Sequence, residues 1–164
     1  MNGFDNSEYF LPLLISNFLA ILILICAWKQ PRISRLLFFL LFAWAGWMNW
    51  TTVLNNPESY LEYANFTLLD SYRQFINGWF SSHLLLAVGL IATCQLMIAV
   101  GMLLKGILFK IAAIGAIVFF LAILPLGVGS GFPCTLIAAI AMLRLHLLSP
   151  KNFLWFTEPR PSFQ

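Results

Sequence analysis

The chain alternates long uncharged runs with short polar breaks. Residues 10–28, 36–54 and 80–104 each contain no Asp, Glu, Lys or Arg. Each run is close to the roughly 20 residues that a helix needs to cross a hydrocarbon core of about 30 Å. A further uncharged stretch separates Lys110 from Arg144. As one helix it would reach about 50 Å at about 1.5 Å per residue, which is too long for a single crossing. The pattern therefore predicts several membrane-spanning helices and a break within the last stretch.

The break falls in the sequence Leu124-Pro-Leu-Gly-Val-Gly-Ser-Gly-Phe-Pro133. Proline removes a backbone donor, and glycine permits positive φ angles that other residues adopt with difficulty. We predict a structural turn at the outer membrane face, with spans 106–125 and 132–148 on either side and positive φ at some of the glycines. The residues assigned to this turn are Gly127, Gly129, Gly131 and Pro133.

Residues 55–78 form the one long polar segment between the predicted spans. Pro57 suits the first position of a helix, and Glu58 is favourable in a first turn. Apolar residues then recur at helical spacing, which predicts a short amphipathic helix on the outer surface. A loop packed on the bundle is the alternative. The proline-containing tail, residues 149–164, is predicted to run along the cytoplasmic interface.

Composition and charge distribution support this topology. The chain is 61% hydrophobic and 9% charged, which excludes an ordinary soluble domain, and it has no basic stripe of the kind that binds nucleic acid. In the predicted topology one basic residue, Arg73, lies outside. The other basic residues lie inside: Lys29, Arg32, Arg35, Lys105, Lys110, Arg144, Lys151 and Arg160. Because cytoplasmic loops are enriched in Lys and Arg, the amino terminus is predicted outside and the carboxyl terminus inside, with five spans.

The sequence contains few residues in the arrangements that catalysis or metal binding requires. Three cysteines are scattered singly without a C-x-x-C pair, and His83 and His146 are predicted at opposite membrane faces, where they cannot share a metal. No catalytic and no metal-binding residues are predicted. The candidate ligand-binding residues are polar or aromatic and are predicted in the outer half of the membrane: His83, Gln95, Trp47, Asn49, Tyr60 and Arg73. Two alternatives stay open: His83 is an interfacial histidine bonded to a loop carbonyl, and Gln95 is a hydrogen bond between helices.

From about residue 35 to residue 148 the chain resembles the DoxX-like family of small bacterial membrane proteins. The features that carry the resemblance are weak singly and follow one another in the family's order: Arg35-Leu-Leu-Phe, Asn56-Pro-Glu-Ser-Tyr60, Cys94-Gln-Leu-Met-Ile-Ala-Val-Gly101 and the turn from Gly127 to Pro133. The resemblance implies a four-helix unit in the bacterial cytoplasmic (inner) membrane. The helix at 10–28 is an addition to that unit, and Gln95 replaces the glutamate expected of many relatives. The predicted fold class is thus an all-α membrane protein, a five-helix transmembrane bundle.

Three functional hypotheses follow. The resemblance implies a noncatalytic integral subunit that docks or orients a membrane or redox protein partner in a respiratory or redox-protective complex. The second hypothesis is a binding protein or enzyme for an apolar ligand such as a quinone, which is the one cofactor considered. A small transporter is disfavoured, because no span carries an ionisable residue at depth. The lipid bilayer is a predicted partner, nucleic acid is not, and a homo-oligomer is left open.

Overall fold

The computed structural model describes residues 7–148 and 152–155, and all regular structure among them is helical. Five long helices carry the fold: α1 (Ser7–Lys29), α2 (Pro31–Asn55), α3 (Leu84–Leu103), α4 (Gly106–Ile123) and α5 (Cys134–Leu148). Within the described residues, four segments are long and apolar enough to cross a membrane; three lie in α1, α2 and α3, and the fourth is α4 with the turn after it. α5 is apolar but has only 15 residues. The chain is therefore an all-α, multi-pass membrane protein.

Proline and glycine determine where the helices begin and end. α1 and α2 are separated by Gln30 alone, whose φ of −140° and ψ of 68° lie outside the helical region, and Pro31 then opens α2. Asn56 has a similar extended conformation before Pro57. In both cases the proline ring disfavours helical angles at the residue before it, so each helix ends there.

The segment from residue 57 to residue 80, called here the cap segment, is built from short helical pieces. These are a 3₁₀ helix (Pro57–Glu62), two α-helical turns (Tyr63–Phe66 and Asp70–Phe75) and a π-helical turn (Ile76–Phe80). The single amphipathic helix predicted for this region is therefore broken. The break lies at Thr67 and Leu69, which are extended, because the Thr67 hydroxyl and the Leu68 N–H both donate to the Pro125 carbonyl.

The long helices pack in a closed cycle in chain order, with α5 returning to α1 and the most extensive interface between α2 and α3. The end that holds Lys29, Arg35, Lys105 and Arg144 is called here the basic end. The opposite end, covered by the cap segment, is the capped end. Of the tail predicted at 149–164, residues 149–151 and 156–164 lie outside the described residues, as do residues 1–6.

The half of the bundle next to the basic end is filled by aromatic rings and small side chains. Phe38, Phe109, Met102, Met142 and Leu145 are fully buried there among alanines of α4 and α5. Gly101 lets α3 approach α4 closely, because a Cβ at this position would collide with that of Ala112. The basic half is consequently packed without room for another methyl group at this crossing.

Arg35 is the charged residue at the centre of the basic half, and its side chain is only 2% exposed. Its guanidinium lies 4.8 Å from the centre of the Phe109 ring and donates to the carbonyls of Met102 and Leu104 at the end of α3. It also donates to the Asn152 carbonyl over 3.2 Å. A cation at a helix C-terminus satisfies carbonyls that have no intrahelical partner, so Arg35 ties α2 to the end of α3 and to the chain beyond α5.

α5 begins beside the middle of α1. The Asn17 side chain donates to the Gly131 carbonyl over 3.4 Å, and a Cβ on Gly131 would lie 3.2 Å from the Ser16 hydroxyl. Because residues 16 and 17 lie near the centre of α1, the turn before α5 lies well inside the amino-terminal end of that helix. The cap segment lies over this turn, so its backbone is covered by protein.

Candidate functional site

A cavity of about 1110 Å³ occupies the half of the bundle next to the capped end. Its walls come from residues 12–23 of α1, 41–49 of α2, 88–95 of α3, 119–123 of α4 and 134–138 of α5. The cap segment and the turn at 126–130 complete it. A volume of this size exceeds the usual range for small-molecule sites, about 300–1,000 Å³, and is suited to a lipid-sized ligand.

Several apolar residues that line the cavity are also exposed on the outside of the bundle. Ile15 and Leu19 on α1 are 50% and 51% exposed, and Trp44 on α2 is 60% exposed, yet all three line the cavity. The two helices meet near their basic ends, where the Ser34 hydroxyl donates to the Ile23 carbonyl. These exposed positions lie in the apolar stretches of α1 and α2, so in a bilayer they face acyl chains.

Aromatic rings form much of the cavity wall. Phe42 packs against Phe119 and Phe120, with ring centres 5.8 Å and 5.3 Å apart, and all three line the cavity. In the cap segment, the Tyr60 and Tyr63 rings lie 6.2 Å apart on the covering side. Rings of this kind give a ligand a large apolar contact area and favour flat groups that can stack or meet ring edges.

A chain of side-chain hydrogen bonds connects the cap segment to the cavity wall. The Tyr60 hydroxyl donates to Asn49 Oδ1 over 2.8 Å, and Asn49 Nδ2 donates to Gln95 Oε1 over 2.7 Å. Gln95 is only 2% exposed and lines the cavity. Because its oxygen accepts from Asn49, the Gln95 group left for a ligand is the Nε2 amide, which donates.

Polar side chains of α1, α5 and the turn form a second group in the cavity wall. We call Ser16, Ser130 and Thr135 the hydroxyl cluster; all three line the cavity, as does the neighbouring Cys134. Thr135 is 3% exposed, and its hydroxyl oxygen has no hydrogen-bond partner within the described residues. A buried hydroxyl without a partner is unfavourable, and this oxygen is not accessible from the cavity in the conformation that the structure shows.

Charged side chains are missing from the cavity wall. None of the lining residues identified in the described part of the chain is Asp, Glu, Lys, Arg or His. An ionised ligand group would lose its hydration here without gaining an opposite charge. The site therefore favours an electrically neutral ligand.

Three of the predicted ligand-binding residues come together at the cavity. These are Asn49, Tyr60 and Gln95, joined by the hydrogen bonds above. The Asn49–Gln95 bond is also the contact between helices that was the alternative for Gln95. The ligand-binding interpretation of Gln95 stays a prediction, and its place in the cavity wall is compatible with that interpretation.

The other three predicted ligand-binding residues lie away from the cavity wall. Trp47 is exposed on α2. His83 is stacked on Trp79 with ring centres 4.7 Å apart, and its Nδ1 lies 2.9 Å from the Trp79 carbonyl, in the bonding described by the alternative for this histidine. Arg73 pairs with Asp70 over 2.8 Å within the cap segment.

The glycine turn joins the cap segment to the cavity. Gly127 and Gly131 have φ angles of 60° and 74°, which agrees with the prediction of positive φ at some of the glycines. Gly129 serves close packing instead, because a Cβ there would lie 2.6 Å from the Tyr63 ring. Pro133 follows a cis peptide bond. The turn therefore supports the covering wall of the cavity as well as reversing the chain.

Burial raises the pKa of the Tyr60 phenol above its ordinary value of 10.0. Burial also raises the pKa of Tyr63, and the nearby Glu62 carboxylate adds to this shift. Both phenols are consequently neutral near pH 7. Tyr60 keeps the proton that it donates to Asn49, and the covering wall carries no charge from either ring.

No group of three His, Cys, Asp or Glu side chains within residues 7–148 and 152–155 could hold a metal ion. The sequence analysis did not single out Thr135, Ser16 or Ser130. A threonine or serine near a helix end or a glycine turn is common, and only the folded arrangement shows that these three meet at one cavity.

Comparison with protein-family models, with curated proteins and with solved structures found no match to this chain.

Proposed function

We propose that this protein takes a neutral, lipid-like ligand from the membrane and holds it in the cavity at the capped end. The cavity is the single observation that carries the proposal. It is large and mostly apolar, and its described lining contains no charged residue. We take it to open between α1 and α2, where exposed lining residues would meet acyl chains in a bilayer. None of these features would favour the binding of a water-soluble substrate.

A ring-bearing isoprenoid such as a quinone is one ligand that suits this site. Phe42, Phe119 and Phe120 provide aromatic contacts for a flat ring, and the Gln95 amide provides a donor for a carbonyl oxygen. This supports the ligand-binding hypothesis over a purely docking subunit. Membership of the DoxX-like family and a redox protein partner remain parts of the proposal that rest on the order of sequence features.

The proposal places all five long helices in the bilayer. α5 has 15 residues, so at about 1.5 Å per residue it covers about 22 Å, and the recessed turn and the cap segment fill the remaining depth. We place the basic end in the cytoplasm, because described basic side chains concentrate there while Glu58, Glu62 and Asp70 belong to the cap segment. Cysteine labelling of residues 57–75 from the outside would support this orientation, and labelling of residues 29–35 instead would reverse it.

The binding test compares two phenylalanine substitutions on α2. Ala45 lines the cavity and Leu40 is exposed on the lipid-facing side of the same helix. The purified protein in nanodiscs is titrated with a short-chain benzoquinone, and saturable quenching of tryptophan fluorescence is measured. We expect Ala45→Phe to weaken binding at least about tenfold, because the ring occupies cavity volume, and Leu40→Phe to bind like the parent.

Mass spectrometry of lipids that co-purify with the parent completes this test. Equal binding by both variants would show that the quinone sits outside the cavity. No saturable binding by the parent, together with no retained neutral lipid, would contradict the proposed function.

A further inference from the structure

Arg144 and Trp28 form a contact between α5 and α1 at the basic end. The Arg144 guanidinium lies over the Trp28 ring, with its carbon 5.5 Å from the ring centre. The two helices pack on one another from the Asn17–Gly131 hydrogen bond to this contact. Trp28 is exposed, and Lys29 is the last residue of α1. The contact therefore lies on the outside of the bundle, at the depth where a spanning helix meets lipid headgroups.

Arg144 differs from the buried Arg35 in what its nitrogens bond. Arg35 also lies over a ring, but its guanidinium donates to three backbone carbonyls. Arg144 makes no hydrogen bond or ion pair within residues 7–148 and 152–155. Its side chain is partly exposed, and Nε is the one of its nitrogens that is buried without a partner. The two terminal nitrogens are therefore available to an acceptor outside the protein.

The position of Arg144 over a ring suits it to bind a phosphate. The N–H groups of a guanidinium project from the edge of its plane, so contact of its face with Trp28 does not use them. Two of these donors match two oxygens of a phosphate. The ring contact also restricts the long Arg144 side chain before a ligand arrives, which lowers the entropy that is lost on binding.

The charges around this contact are positive. Lys29 and Arg32 are exposed, and both lie within four residues of Trp28 along the chain. In the part of the chain that the structure describes, the acidic residues all belong to the other end of the bundle: Glu8, Glu58, Glu62 and Asp70. The contact therefore favours an anion over a zwitterion, whose own cation would be repelled.

Exposed apolar side chains continue from this contact toward the middle of the membrane. Ile25 lies one helical turn before Trp28 on α1, and Ile140 lies one turn before Arg144 on α5; both are exposed. Residues three or four apart share a helix face, so these side chains lie on the membrane side of the contact. Acyl chains can pack there, and a free phosphate compound would gain nothing from this surface.

We propose that Arg144 and Trp28 form a site for an acidic phospholipid, with the phosphate at the Arg144 guanidinium and the acyl chains on Ile25 and Ile140. Basic pockets between membrane helices are suited to acidic lipid headgroups. The site lies at the opposite end of the bundle from the cavity, and neither Arg144 nor Trp28 lines the cavity. The inference is therefore independent of the proposed function.

The test measures lipid binding to the purified protein in a mild detergent by native mass spectrometry. The probes are dioleoylphosphatidylglycerol and dioleoylphosphatidylcholine, which share their acyl chains and phosphate and differ in net charge. We expect the parent to bind phosphatidylglycerol at least about fivefold more tightly, which is roughly the contribution of one basic side chain near an anionic headgroup. An excess of sn-glycerol 3-phosphate should not displace the lipid, because it has no acyl chains.

Substitutions at the basic end locate this preference. Arg144→Gln should reduce it to less than about twofold, because the donors for the phosphate are lost. Lys110→Gln is the matched control, since it removes a positive charge from α4, which packs on α3 and α5, and it should leave the preference unchanged. Arg144→Lys keeps the charge and should bind phosphatidylglycerol more tightly than Arg144→Gln. Thermal unfolding checks that all variants are folded.

Three results would overturn the site. Equal losses in Arg144→Gln and Lys110→Gln would assign the preference to the overall charge of the basic end. Equal binding of both lipids by the parent would show that the headgroup charge is not recognised. Displacement by sn-glycerol 3-phosphate would show a site for a free phosphate compound. None of these results bears on the cavity, whose ligand is tested separately by the benzoquinone titration.

Discussion

The two halves of this bundle are built from the same helices, but one half is closely packed and the other contains the cavity. In the basic half, α3 and α4 touch through Gly101 and Ala112. The Arg35 guanidinium donates hydrogen bonds to carbonyls at the end of α3. In the capped half, the helices surround the cavity, whose wall includes the polar side chains of Asn49 and Gln95. Tight packing in the basic half fixes the helices relative to one another, while the cavity occupies the other half.

The largest effect is expected from removing the Arg35 guanidinium. Arg35→Leu should lower the free energy of unfolding by about 3 kcal/mol or more, because it leaves the buried carbonyls of Met102 and Leu104 without their donor. Arg32→Leu, at an exposed position three residues earlier, should change it by less than about 0.5 kcal/mol. Unfolding by a graded denaturing detergent measures both. Equal stability of the two variants would show that the hydrogen bonds of Arg35 do not stabilise the basic half.

The next prediction compares a glycine at the helix crossing with one beside it. Gly101→Ala should destabilise the protein by about 1–3 kcal/mol, because α3 and α4 must separate to admit the methyl group. At Gly115 the added Cβ would lie 3.6 Å from Ile98, an ordinary contact. Gly115→Ala should therefore be neutral or stabilising by up to about 1 kcal/mol through its better helix propensity. Thermal unfolding in one detergent measures the stability of both variants. If Gly101→Ala were as stable as the parent, the crossing of α3 and α4 would have room for a methyl group.

The smallest effect concerns the capped half and pH. The pKa of Tyr63 is raised in the folded state, so its contribution to stability is complete below the unfolded pKa of about 10 and is lost as pH rises from there through the folded pKa. At pH 10.5 the loss is at most about 0.8 kcal/mol for this group. Cleavage of the cap segment by an alkaline protease should increase between pH 9 and 10.5. In Tyr63→Phe that increase should shrink, and an identical pH profile in the variant would assign it to another group.

Local chemistry made parts of the fold predictable. Pro57 opens its helical piece because the proline ring restricts the residue before it, and the positive φ angles at Gly127 and Gly131 follow from what glycine alone permits without strain. These features depend on neighbours in the chain. The apolar runs also predicted the spanning helices from local sequence, because the length of each run can be compared directly with the thickness of a bilayer.

Features that depend on distant residues were not predictable in the same way. The cap segment breaks at Thr67 because its hydroxyl bonds the Pro125 carbonyl, 58 residues further along the chain. Asn49, Tyr60 and Gln95 could be listed as candidates, but their hydrogen-bonded chain requires three separate segments to meet. Thr135 carried no signal at all. Its burial without a partner among the described residues depends on the packing of α5 against α1 and the turn.

The proposed sideways opening past Ile15, Leu19 and Trp44 determines in which phase the concentration of a ligand is measured. A molecule that enters from among acyl chains has already left water, so its hydrophobic transfer contributes nothing further to binding. The concentration that matters is the mole fraction of free ligand among the lipids, and the aqueous volume does not enter for a ligand that stays in the membrane. Affinity then depends on the few hydrogen bonds and ring contacts that distinguish the cavity from the bilayer. Two membranes with the same amount of ligand but different amounts of lipid should therefore fill the site to different extents.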